Sequence, residues 1–129
     1  MLKFVKKLWK PESQQTIHAP QDVSANFKLT WRTLEIGTLS LKDGKWSFKY
    51  SDAFKKQDII KPLPDFPDID KVYNSDELYP FFVLRLPGTG QPKVKETIEK
   101  EKIDPDNEAE LLRRFGKRTI ANSFILQYV

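Results

Sequence analysis

The dipeptide Asp43-Gly44 stands between two runs in which apolar and polar residues alternate, Leu34–Lys42 and Lys45–Tyr50. Asp-Gly accepts the positive φ angles of a type I′ turn, whose twist matches the strands it joins, so the stretch predicts a tight hairpin. A two-residue loop fixes the register: Lys42 faces Lys45, Leu41 faces Trp46, Leu39 faces Phe48 and Gly37 faces Tyr50. Leu39, Leu41, Trp46 and Phe48 then form one apolar surface with Tyr50 at its end, while Thr38, Ser40, Ser47 and Lys49 look toward solvent. Leu34 and Ile36 have the wrong parity for that surface unless an extra residue intervenes, and Gly37 is where a bulge can supply it.

The rest of the chain supplies partners for this floor. Phe27, Leu29 and Trp31 alternate with Lys28, Thr30 and Arg32, which predicts a first strand, a turn near Arg32-Thr33 and so a three-stranded meander. Ser51-Asp52 can cap a short helix through Ala53, Phe54 and Lys55. Pro62, Pro64 and Pro67 force an extended path with Leu63 and Phe66 buried. Pro80 suits the first turn of a short helix that Pro87 ends; Phe81, Phe82, Leu84 and Leu86 are too many apolar residues for one stripe, so it is either buried or wedged against a partner. Pro92–Lys102 predicts a second helix, with Val94 and Ile98 inward. Asp104 as N-cap and Pro105 at the first helical position predict a third, with Leu111, Leu112 and Phe115 inward and Gly116 as its stop. Thr119–Val129 reads as a last strand joining the sheet, its apolar run still open at Val129 as expected of a unit severed from something that followed. The expected fold is α+β: a small curved antiparallel sheet (a meander, partly barrel-like) with about three short helices packed on it, spanning residues 27–129. Residues 1–26 are a basic leader and polar linker.

Composition narrows the chemistry. At 129 residues this is one domain, and it contains no cysteine. That rules out a disulfide framework, thiolate metal sites and a Cys nucleophile, and suits a cytoplasmic protein. No apolar run approaches a membrane span and the N-terminus lacks a signal peptide's apolar core. Residues 1–60 carry 11 basic and 6 acidic side chains, residues 61–90 carry 3 and 5, and residues 91–129 carry 8 and 7, so the positive excess is local rather than a continuous basic face. Within Met1–Lys10, Leu2, Val5, Leu8 and Trp9 fall near helical spacing opposite four lysines; such a segment either docks on a membrane surface or partner groove, or packs back on its own domain or frays. Asp65, Asp68 and Asp70 do not converge as metal ligands, and no metal or cofactor is expected. Gly88-Thr89-Gly90 lacks both the preceding strand and the Gly-Lys-Ser/Thr ending of a phosphate loop. The single histidine, His18, lies in the linker and gives Ser–His–Asp chemistry no scaffold.

Several segments in order carry a family likeness. Ile36-Gly37-Thr38-Leu39 with Trp46-Ser47-Phe48-Lys49-Tyr50, then Pro62-Leu63, then Pro80-Phe81-Phe82 with Leu86-Pro87, then Glu110–Gly116 resemble the N-terminal domain of the HipA serine/threonine kinases, the toxins of HipA–HipB toxin–antitoxin modules. The likeness covers roughly residues 27–129. Two departures stand out: Gly88-Thr89 follows Pro87 where the family usually has Glu-Gly or Asp-Ser, and Gly116–Asn122 replaces the usual Gly-x-Asp-x-x-Gly-Ala.

In that family the ATP-binding loop and the catalytic and metal-binding aspartates lie in the domain after this one. No lysine, metal-holding carboxylate and base can be assigned together in this sequence, so a non-enzyme is expected. What the resemblance implies is a chain similar to the small subunit of HipB–HipS–HipT modules: an antitoxin-like partner of a HipA/HipT-type kinase encoded nearby, associated through that complex with a HipB-like helix-turn-helix protein. The expected partner-binding residues are Trp46, Tyr50, Phe81 and Phe82, which can equally be core, together with Arg113, Arg114, Lys117 and Arg118. Those four cations suit the end of the third helix, or else an acidic patch or phosphate on a partner. The alternatives are a nucleic-acid-binding accessory using the basic clusters, and a peripheral membrane protein using Met1–Lys10.

Overall fold

The computed structural model describes residues 23–129. The leader helix expected over Met1–Lys10, and the linker as far as residue 22, lie outside the described residues. Three antiparallel strands, β1 (Ala25–Trp31), β2 (Leu34–Lys42) and β3 (Lys45–Tyr50), form the expected meander. The strand begins at Ala25, two residues earlier than its alternation alone indicated. Asp43 and Gly44 both have positive φ, 52° and 76°, as the I′ turn requires, and every hairpin pair from Lys42–Lys45 to Gly37–Tyr50 is in the expected register. β4 (Tyr73–Ser75) pairs with β3, and β5 (Ile125–Tyr128) returns to pair with β1. The order across the sheet is β4-β3-β2-β1-β5. Among the described residues it is an open five-stranded sheet, not a closed barrel.

The extra residue that would bring Leu34 and Ile36 onto the apolar face is present. Leu29 faces Gly37 but Thr30 faces Glu35, so Ile36 is the bulged residue of the β1–β2 ladder, while β2–β3 stays in register. Ile36 thereby turns inward and is fully buried, with Leu34 partly so. Gly37 is needed for space, since a Cβ there would meet the Lys49 carbonyl and stand 2.7 Å from the Phe48 ring.

Among the described residues four helices accompany the sheet: α1 (Asp52–Lys55), α2 (Pro80–Val83), α3 (Pro92–Glu101) and α4 (Glu108–Phe115). Ser51 caps α1 through its hydroxyl, as expected, with Phe54 N–H donating to it at 3.0 Å. The α4 start differs from expectation. Its N-cap is Asn107, whose Oδ1 accepts from Glu110 N–H at 3.1 Å, whereas Asp104-Pro105 forms the turn before it. Glu110 reaches back to accept from Asp104 N–H, and Asp104 accepts from Asp106 N–H, so both candidate caps are used, one for the turn and one for the helix. α3 ends on Lys102 in the left-handed region, and Ile103 N–H donates to the Ile98 carbonyl at 2.9 Å. That closure brings Ile98 and Ile103 together with Leu111 of α4 in a small second cluster.

The main core lies between the sheet and the elements that follow it. Phe27, Leu29, Leu39, Leu41, Trp46 and Phe48 from the strands meet Phe54, Leu63, Phe66, Phe82 and Leu112. Phe48 stacks on Phe66 at 4.2 Å and Tyr50 on Phe54 at 4.5 Å, with Phe82 tilted against Phe48 at 5.9 Å. The proline-rich segment is therefore an aromatic plug rather than a spacer. Among the described residues no helix is long and apolar enough to cross a membrane.

Candidate interaction surface

The short helix α2 divides its side chains by depth. Pro80 occupies its first turn, and Asp65 Oδ2 accepts from Phe81 N–H at 2.8 Å, supplying the cap that Tyr79 does not. Phe82 points into the core. Phe81 is half-buried, edge-on to Phe82 at 5.1 Å and to Phe124 at 5.7 Å. Val83 and Leu84 face solvent, yet the next residue, Arg85, is 97 % removed from it (3 % exposed).

Arg85 is the organising side chain of this end of the molecule. One terminal nitrogen donates to the carbonyls of Gly116 and Lys117, both at 3.0 Å. The other donates to Asn122 Oδ1 at 3.1 Å and to the Phe124 carbonyl at 2.9 Å. All four acceptors are uncharged, and Nε has no hydrogen-bond partner among the described residues. Burial pulls the guanidinium down to about 10, which leaves it cationic at neutral pH. Its planar fork ties the two ends of the segment between α4 and β5 to the end of α2. Within that segment Thr119 bridges Asn122, Ala121 N–H donates to Thr119 Oγ1, and Phe124 N–H donates to Asn122 Oδ1. Leu126 N–H donates to the Lys117 carbonyl. The result is a pinned tight turn with Ile120 fully exposed at its tip.

The expected aromatic patch lies mostly inside. Trp46, Tyr50 and Phe82 are buried, so of the four aromatics only Phe81 retains surface. The Trp46 indole donates to Glu108 Oε1 at 3.3 Å. The Tyr50 hydroxyl donates to the Phe66 carbonyl at 2.6 Å and accepts from Leu63 N–H at 2.8 Å, fastening the proline-rich segment to β3. Burial pushes this phenol up to about 12 from its ordinary 10, with the Leu63 hydrogen bond pulling the other way. A phenol whose folded pKa is raised stabilises the fold fully below its unfolded pKa and loses that effect as pH rises through the folded value. Tyr50→Phe is therefore expected to cost roughly 1–3 kcal/mol near neutrality, because it leaves two buried backbone groups unpaired. In denaturant titrations the gap between the two proteins should close as pH climbs from 10 to 12.

The four cations are all exposed but not equivalent. Arg114 is engaged by Glu101 in a two-point pair, Nε to Oε1 at 2.8 Å and Nη2 to Oε2 at 3.0 Å, which raises the arginine pKa and lowers that of the carboxyl. Arg113 lies 3.8 Å from Glu110 and 5.7 Å from the centre of the Tyr128 ring. Lys117 and Arg118 flank the Ile120 turn. An open cleft of about 620 Å³ lies elsewhere, floored by Ile98 and Ile103, but Lys95, Lys102, Glu99 and Asp104 line it with both signs of charge. No group of three or more potential metal ligands occurs among the described residues.

No curated protein matches the chain significantly. The family model of the HipA N-terminal domain matches it over residues 28–121, from β1 into the Ile120 turn. That domain is not the catalytic domain of a kinase. With most of its length accounted for by this match, the chain belongs to the HipA N-terminal domain family.

Proposed function

We propose that this chain is a non-catalytic cytoplasmic interaction module that binds a separately encoded HipA-type serine/threonine kinase and restrains it, as an antitoxin does. The observation that carries the reading is the family match over residues 28–121, from β1 into the Ile120 turn. Exposed Val83, Leu84 and Ile120, on segments that Arg85 ties together, support contact with another protein. A HipB-like DNA-binding protein joins through the kinase rather than directly. Co-expression tests this: the chain should co-purify with the HipA-type kinase of the neighbouring reading frame and relieve the growth arrest that kinase causes. Failure of both would remove the reading. A nucleic-acid role, favoured by exposed Lys117 and Arg118, predicts instead a gel shift that weakens steeply with salt.

A further inference from the structure

We propose that the Thr119–Asn122 turn is the docking knob for that kinase, with Ile120 entering an apolar pocket on the partner whose rim is acidic. This rests on the kinase-binding reading above and assigns the contact to particular residues. A lone exposed apolar side chain is ordinary on a protein surface; the way this one is held is not. The segment from Gly116 to Phe124 is fixed by four hydrogen bonds from one buried guanidinium, by the Thr119–Asn122 bridge and by the Asn122 side chain. Burying a cation among neutral acceptors is expensive, since desolvation of the charge is not offset by a counter-ion. Closing a surface loop does not require it. What the clamp secures is a rigid turn that presents Ile120 in one geometry, and rigidity lowers the ordering cost of binding.

Charge selects the occupant. Lys117 and Arg118 are exposed at the base of the turn, and Arg113 is exposed at the end of the preceding helix. A second copy of this chain meeting it through the same turn would bring these same cations together. An apolar pocket rimmed by aspartate or glutamate fits both the tip and its base.

The test is titration calorimetry of the full chain against the purified kinase, with thermal melts alongside. Ile120→Asp is expected to weaken binding about 30-fold or more, as loss of an anchoring side chain does, with an unchanged melting temperature. Ile120→Ala is expected to weaken it roughly tenfold. The double variant Lys117→Glu, Arg118→Glu should weaken binding and flatten the salt dependence of the affinity. Ile59→Asp, at another exposed apolar position, should bind as the unaltered chain does. If the unaltered chain binds and the Ile120 variants bind equally well, the docking assignment fails while the kinase-binding reading stands. If the unaltered chain does not bind, both fall. Concentration-dependent self-association abolished by Ile120→Asp would overturn the assignment in favour of a contact between copies.

Discussion

Arg85→Ala is expected to destabilise the domain by about 3–5 kcal/mol, because it removes four hydrogen bonds at once and leaves a void among them. The carbonyls of Gly116 and Phe124 lose their donor, while the Lys117 carbonyl and Asn122 Oδ1 each keep one main-chain donor, Leu126 N–H and Phe124 N–H. For a domain of this size that is a melting temperature lower by roughly 15 °C or more. Arg85→Lys should fare little better, since a single ammonium cannot reproduce the two-armed fork that reaches acceptors on both ends of the segment. Arg85→Met separates packing from hydrogen bonding by filling most of the volume without donors. Full stability in the Met variant would show that the clamp is only filler. Hydrogen exchange of the Arg85→Met protein gives the second readout: amides of residues 117–126 should open first, while those of β2 and β3 remain protected.

Phe48→Ala carries the other large effect. Phe48 is fully buried, stacked on Phe66 at 4.2 Å and in contact with Tyr50 and Phe82 at 5.2 and 5.9 Å. Truncating it removes the ring that joins β3 to both the proline-rich segment and α2, at an expected cost of about 4 kcal/mol. Against a total stability of roughly 5–15 kcal/mol, that leaves a protein near its unfolding threshold. Denaturant melts and near-ultraviolet circular dichroism should show a much earlier midpoint and a weakened aromatic signal. Phe48→Leu should retain more than half of the lost stability, because the cavity is partly refilled. A Phe48→Ala protein as stable as the unaltered one would contradict the placement of this ring at the centre of the core.

The features legible in the sequence are those whose causes are local. Asp43-Gly44 needs only its own φ angles and the alternation on either side, so turn, register and inward set all follow. The bulge beside Gly37 was readable as one of two options, since parity leaves Leu34 and Ile36 on the wrong face unless one extra residue intervenes, and the structure inserts it at Ile36. The start of α4 was not settled locally. Asp104 and Asn107 are both competent caps; the structure uses Asp104 for the turn and Asn107 for the helix, in which Ala109 and Leu112 join the main core and Leu111 meets Ile98 and Ile103. Trp46, Tyr50 and Phe82 were equally suited to core or surface, since pattern says that a face is apolar but not what covers it. The covering comes from Phe54 for Tyr50, four residues on, and otherwise from Phe66 and α4, more distant in the chain. Arg85 had the faintest signal: a single charge inside the apolar run Phe81–Leu86. A charge placed there must find partners, but three of its four are main-chain carbonyls more than thirty residues away, and carbonyls leave no mark in a sequence.

Hydrogen exchange of the chain alone and in the presence of the HipA-type kinase proposed as its partner tests most directly whether the clamped turn meets that partner. Added protection concentrated in residues 117–124, and lost in Ile120→Asp, is the expected result. Protection confined to other segments, with exchange in 117–124 unchanged, would contradict a docking role for the turn.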